Sequence, residues 1–116
     1  AHHGTLEVIG TSNTRYTYNI YDLMNFKNTF PCNYVYIGDR NSYNDYPLYY
    51  IGQTNDINRR MQEHLNSTEK SDLCIQKLIQ SKHITYIATL TNPNEQSRIN
   101  QETDLRKAYT TLCNQQ

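Results

Sequence analysis

Two aromatic and β-branched runs, Tyr34-Val35-Tyr36-Ile37-Gly38 and Leu48-Tyr49-Tyr50-Ile51-Gly52, constrain the fold of this chain more than anything else in it. Such side chains suit a pleated, half-buried surface. Residues 39–47 between them are full of turn formers, Asn, Asp and Pro among them. The pair predicts a β-hairpin with a long loop. In an alternating strand Tyr34 and Tyr36 share a face, and Tyr50 lies on the partner strand. Tyrosine hydroxyls from both strands can therefore overlook one cleft.

The rest of the chain supplies weaker but consistent signals. Residues 5–9 and 16–21 are strand-like, and a polar stretch follows around residues 25–28, so residues 5–32 read as an N-terminal extension packed on the domain. Thr54-Asn55-Asp56 offers an N-cap, and Ile57, Met61 and Leu65 recur at intervals of four, which predicts a helix over about residues 56–65. A second helix is expected to begin after Ser71 as its cap, with Cys74/Leu78 and Ile75/Ile79 on its buried side. Residues 84–90 alternate as a third strand. Pro93, Asn94 and Glu95 then open a helix that carries Ile99, Glu102, Leu105 and Arg106. The order ββααβα predicts one α+β domain over residues 33–116, a small antiparallel three-stranded sheet flanked by helices. Ala1-His2-His3-Gly4 reads as the remnant of a cut purification tag.

Composition limits the function classes. Eleven basic residues balance eleven acidic ones, so no global field of the kind found in strongly basic nucleic-acid-binding domains exists. No apolar run is long enough to span a bilayer and no signal-peptide order opens the chain, which suggests no membrane partner and a cytoplasmic setting. The three cysteines, Cys32, Cys74 and Cys113, are far apart and form no CxxC pair; free thiols in a reducing compartment are expected over a disulfide.

Candidate chemistry clusters around the hairpin. Arg60 and His64 stand four residues apart, so one helical face presents a guanidinium and an imidazole to the same cleft. Arg60 can hold a phosphate oxygen through two parallel hydrogen bonds, and His64 titrates near neutrality. Taken without context, Glu102 would pair with Arg98 or Arg106, each four residues away on its helix. Arg59, Lys70 and Lys77 offer a modest phosphate-binding patch.

The ordered set Tyr34-Val35-Tyr36, Tyr50-Ile51-Gly52-Gln53-Thr54, Asp56-Ile57, Arg60 and His64, then Glu102-Thr103-Asp104-Leu105 and Asn114, resembles the GIY-YIG nuclease domain over about residues 33–114. A lone Tyr-Ile-Gly would be weak; six elements in order, two of them on helices where the spacing places them, are specific. Two features depart from the pattern: Tyr34 stands where the first motif has glycine, with Gly38 too late to replace it, and the net charge is neutral.

The resemblance implies a metal-dependent DNA endonuclease that hydrolyses phosphodiester bonds with low intrinsic sequence specificity. It implies catalytic roles for Tyr36, Tyr50, Arg60, His64 and Glu102, and support from Gly52 and Asn114. One divalent ion, Mg²⁺ or Mn²⁺, would sit on Glu102, because a hard cation takes one or two carboxylates and completes its shell with water and phosphate oxygens. Tyr36 would be general base toward the attacking water. Its ordinary pKa of about 10 then demands either a depressed value or a concerted proton relay. The expected partner is DNA, with RNA left open, and the expected state is a monomer or weak dimer. A second reading keeps the fold without cutting, as a nucleic-acid or protein binding module.

Overall fold

The computed structural model describes residues 2–116; Ala1, the first of the four residues read as a tag remnant, lies outside them. Five strands form, β1 (His2–Ile9), β2 (Arg15–Asp22), β3 (Cys32–Ile37), β4 (Leu48–Thr54) and β5 (Tyr86–Thr91). The helices are α1 (Ile57–Asn66), α2 (Lys70–Gln80) and α3 (Glu95–Ala108). The hairpin of the aromatic runs is β3 paired with β4, with Tyr36 opposite Tyr50 and Tyr34 opposite Gly52.

The expected three-stranded sheet is corrected to five strands in the order β1-β2-β5-β3-β4, each neighbouring pair antiparallel. The physical reason is the free edge that β5 would otherwise present. Its outer row of N–H and C=O groups needs a partner, and β2 supplies one through Asn19 to Asp22. Strand β2 also alternates, sending Tyr18 and Ile20 fully inward. Residues 5–32 thus contribute two strands to the sheet and half of one core.

That core lies between the sheet and α3, where Leu6, Val8, Tyr18 and Ile20 meet Val35, Ile37, Ile51, Ala88 and Leu105. The opposite face packs on α1 and α2 through Tyr34, Tyr36, Tyr50, Ile57, Met61 and Ile75. Asp56 caps α1 by accepting from the Arg59 N–H at 3.1 Å, and Asn94 caps α3 by accepting from Ser97 N–H at 2.8 Å. Helix α2 begins earlier than expected, after Glu69, with Ser71 inside it. Strand β5 begins at Tyr86, because the Ile84 and Thr85 N–H groups are bonded to Leu78 O and Ile37 O instead.

The expectation of free thiols is overturned for two of the three cysteines. The C-terminal 3-10 turn (Leu112–Gln115) packs back on α2, and Cys113 is bonded to Cys74, with Cα atoms 5.5 Å apart. Sequence spacing cannot show this, since the two residues are 39 positions apart. Cys32 is free and buried in β3, and burial pushes its thiol up to about 12, so it stays protonated and inert.

Candidate active site

Four rings face α1 and α2 from the hairpin and from α1 itself. Tyr34, Tyr36 and Tyr50 each place their ring centroid 5.2–5.9 Å from that of His64. The His64 side chain is wholly enclosed and bridges two elements. Its Nδ1 lies 2.6 Å from Asp72 Oδ1 on α2, and its Nε2 lies 2.7 Å from the Tyr34 hydroxyl. Burial pushes the Asp72 carboxyl up, but hydrogen bonds from His64 and Ser67 outweigh it and hold the group below the usual carboxylate range. Burial lowers His64, with Asp72 opposing. An ionised Asp72 beside a neutral imidazole puts the proton on Nδ1, so Nε2 accepts from the Tyr34 O–H.

Tyr34, the residue in place of the motif glycine, thus takes the nitrogen that Tyr36 would need. Gly52 makes room for it. This glycine lies inside β4 and not in a turn, and a Cβ there would sit 2.6 Å from Tyr34 Cζ. Tyr36 is only 1% exposed. Burial, with Tyr50 and Asp72 adding to it and Arg60 opposing, raises the Tyr36 pKa above 10. In the protein alone, burial thus opposes the ionised form that a tyrosinate base requires.

A second set of groups meets at the open side of Tyr50. The Arg60 guanidinium lies beside the Tyr34 and Tyr50 hydroxyls. Arg106 Nη2 approaches the Tyr50 hydroxyl and Glu102 Oε2, each at 3.4 Å, and donates to Ile51 O at 2.9 Å. Asn114 closes the same stretch of β4: its Oδ1 accepts from Ile51 N–H at 2.7 Å and its Nδ2 donates to Ile51 O at 3.1 Å. These bonds fix the backbone between Tyr50 and Gly52. Burial raises the Glu102 carboxyl above its ordinary value, against Arg106, the Gln53 backbone and Arg60. A partly enclosed carboxylate with one long contact to a cation is short of positive charge.

The remaining candidates are divided. Arg59 pairs with Glu63 at 3.0 Å, and Arg60 reaches the same carboxylate at 3.3 Å. Lys70 and Lys77 line a groove beside Cys74 and Leu112, while Arg59 lines the cleft that holds Arg60. Three residues of the site carry no sequence signal of the contacts they make. Asp72 reads as an ordinary acidic residue in the first turn of a helix. Arg106 reads only as a neighbour of Glu102. Tyr34 was visible as a departure from the motif, and its bond to His64 follows only from the packing of α1.

No curated protein and no solved structure matches the chain. The GIY-YIG catalytic domain profile matches residues 32–114 of the 116, a span that runs from the first residue of β3 through Asn114. That span contains the hairpin, α1 with Arg60 and His64, α3 with Glu102, and the asparagine that closes β4. The chain belongs to the GIY-YIG catalytic domain family.

Proposed function

We propose that the chain is a metal-dependent DNA endonuclease that hydrolyses phosphodiester bonds with low intrinsic sequence specificity. The observation that carries this reading is the proximity of Arg60, Tyr50, Glu102 and Arg106 to one another, in a chain of a family that is generally endonucleolytic.

Phosphodiester hydrolysis needs a nucleophilic water, neutralisation of charge on the phosphorane oxygens, and a proton or cation for the leaving oxygen. Arg60 is suited to the phosphorane oxygens, because its planar guanidinium offers paired donors. Glu102 fits a hard divalent cation. It holds no short ion pair and burial leaves its charge undersupplied, whereas Glu63 is committed to two arginines. Among the described residues no group of three or more His, Cys, Asp or Glu gathers, so Glu102 would be the one protein carboxylate on the ion, with water and phosphate oxygens completing its shell. When bound, Mg²⁺ or Mn²⁺ supplies Lewis-acid stabilisation of the developing charge. The Tyr50 hydroxyl, between Arg60 and Arg106, orients water or a phosphate oxygen. Burial holds Tyr36 protonated in the protein alone, so to act as base toward the attacking water it would need the bound cation, together with Arg60, to lower its hydroxyl. His64, set by Asp72, keeps Tyr34 and with it Arg60 in place.

Nucleic acid would be held mainly through its phosphates, and a chain this small has little surface for reading bases in the major groove. The Cys74–Cys113 bridge supports an oxidising setting in place of the cytoplasmic one that composition suggested. Among the described residues no helix is long and apolar enough to cross a membrane.

Two observations favour a non-cutting binding module instead: Tyr36 is enclosed, and the His64 nitrogen is occupied by Tyr34. Nicking of supercoiled plasmid separates the two readings. The nuclease converts plasmid in Mg²⁺ or Mn²⁺ and not in chelator, and Tyr50→Phe and Tyr36→Phe slow it. A chain that binds plasmid, single strands and branched DNA but cuts none of them under either metal is the binding module.

A further inference from the structure

The geometry points to Arg98 as an anion subsite at the floor of the cleft beside Arg60, built to take a backbone phosphodiester next to the one being cut. This rests on the reading of the cleft as a nucleic-acid site.

Arg98 is only 2% exposed, yet among the described residues no carboxylate pairs with it. Its hydrogen bonds go to neutral oxygens: Nε donates to Gln53 Oε1 at 3.1 Å, and Nη1 donates to Asn92 O at 2.9 Å. A buried cation without a counter-ion is costly, and buried charges are normally paired. Its place in the chain makes matters worse. Helix α3 begins at Glu95, so Arg98 lies in the first turn, at the positive end of the helix dipole. Glu102, one turn further on, is directed to Arg106. Among the described residues only neutral oxygens bond this guanidinium directly, which leaves it free to take an anion as its counter-charge.

The second observation is where the side chain lies. Arg98 lines a cleft of about 310 Å³ together with Arg59, Arg60, Glu63 and Glu95. Glu63 is shared by Arg59 and Arg60. Three guanidiniums face two carboxylates, so the cleft as a whole keeps one positive charge in excess. Gln53 ties this floor to the reaction site, since its side chain accepts from Arg98 while its backbone hydrogen-bonds Glu102. A phosphodiester at Arg98 would share this cleft with a phosphate held by Arg60. In a protein with no net charge, such a built subsite can supply the backbone grip that a global field does not.

The test uses Arg98→Met, which keeps the apolar stem and removes the charge. Binding of a short labelled duplex is measured by anisotropy in a Glu102→Ala background, so that no strand is cut. Loss of the subsite is expected to weaken binding about tenfold and to flatten the slope of log K against log salt by about 0.9, whether or not the duplex carries terminal phosphates. Unchanged affinity and slope, or an effect confined to duplexes with terminal phosphates, would overturn the assignment. A measurement on the unaltered chain removes any dependence on how the variant folds. Titration with inorganic phosphate should move the Arg98 Nε–H resonance saturably and leave that of exposed Arg15 in place; no saturable shift also overturns it. If the wild type nicks plasmid and Arg98→Met binds as well as its parent, the subsite fails and the nuclease reading stands. If Arg98→Met weakens binding but the wild type cuts nothing, the nuclease reading fails and the subsite stands.

Discussion

His64 is neutral in the fold because burial outweighs its bond to Asp72, and that sets the sign of its contribution to stability. Its folded pKa lies below the ordinary 6.5, so on acidification the unfolded chain takes up this proton first. The groups facing it are Asp72 on α2, Arg60 and Glu63 on α1, and the three tyrosines of the hairpin. The fold should therefore lose stability as pH falls from about 6.5 toward the depressed value, with a further loss from Asp72 below its ordinary 3.8. Thermal melts between pH 7 and pH 5 are expected to show a falling Tm in the wild type and a flat one in His64→Gln. Glu102 runs the other way. Its raised carboxyl weakens the fold wherever the group is ionised, so Glu102→Gln should melt higher than the wild type at neutral pH while losing cleavage, a trade common at functional sites. Arg60, His64 and Glu102 were legible in the sequence because helical spacing and motif order mark them. Asp72 was not, because its partner lies on another helix.

Within the elements, the hairpin is where sequence and packing agree best and where one exchange explains the departure from the motif. Tyr34 is tolerated because the residue opposite it is Gly52. Gly52→Ala is expected to lower stability by about 1–3 kcal/mol through overpacking, and the same change in a Tyr34→Gly background to be nearly neutral, as measured by denaturant unfolding in a double-mutant cycle. The capped starts of α1 and α3 were legible because Asp56 and Asn94 act locally. The start of α2 was not, since Ser71 has the look of a cap and Glu69, which occupies that place, makes no side-chain capping bond. The disulfide joins α2, two residues from Asp72, to the turn that carries Asn114. Its loop closure is worth about 4 kcal/mol in the chain-entropy description. Reduction should accordingly lower the Tm sharply, and Cys74→Ser with Cys113→Ser should reproduce the reduced melt.

At the scale of the molecule, the sheet has a division of labour. Strands β3 and β4 with α1 and α3 carry the candidate chemistry, while β1 and β2 cover the edge of β5 and fill the core beneath α3. The α+β class and the helices were legible from periodicity. The joining of β1 and β2 to the sheet was not, because their alternation shows that they have a buried face and says nothing about which edge they meet. The same limit applies to charge: a net charge of zero hides a cleft in which Arg59, Arg60 and Arg98 stand together. The most direct test is conversion of supercoiled plasmid to nicked circle in Mg²⁺ by the wild type beside Arg60→Ala and Glu102→Ala. Nicking that falls at least about a hundredfold in both variants, on the scale of losing a transition-state contact, is the expected result. Equal nicking by all three, or none by the folded wild type, would contradict it.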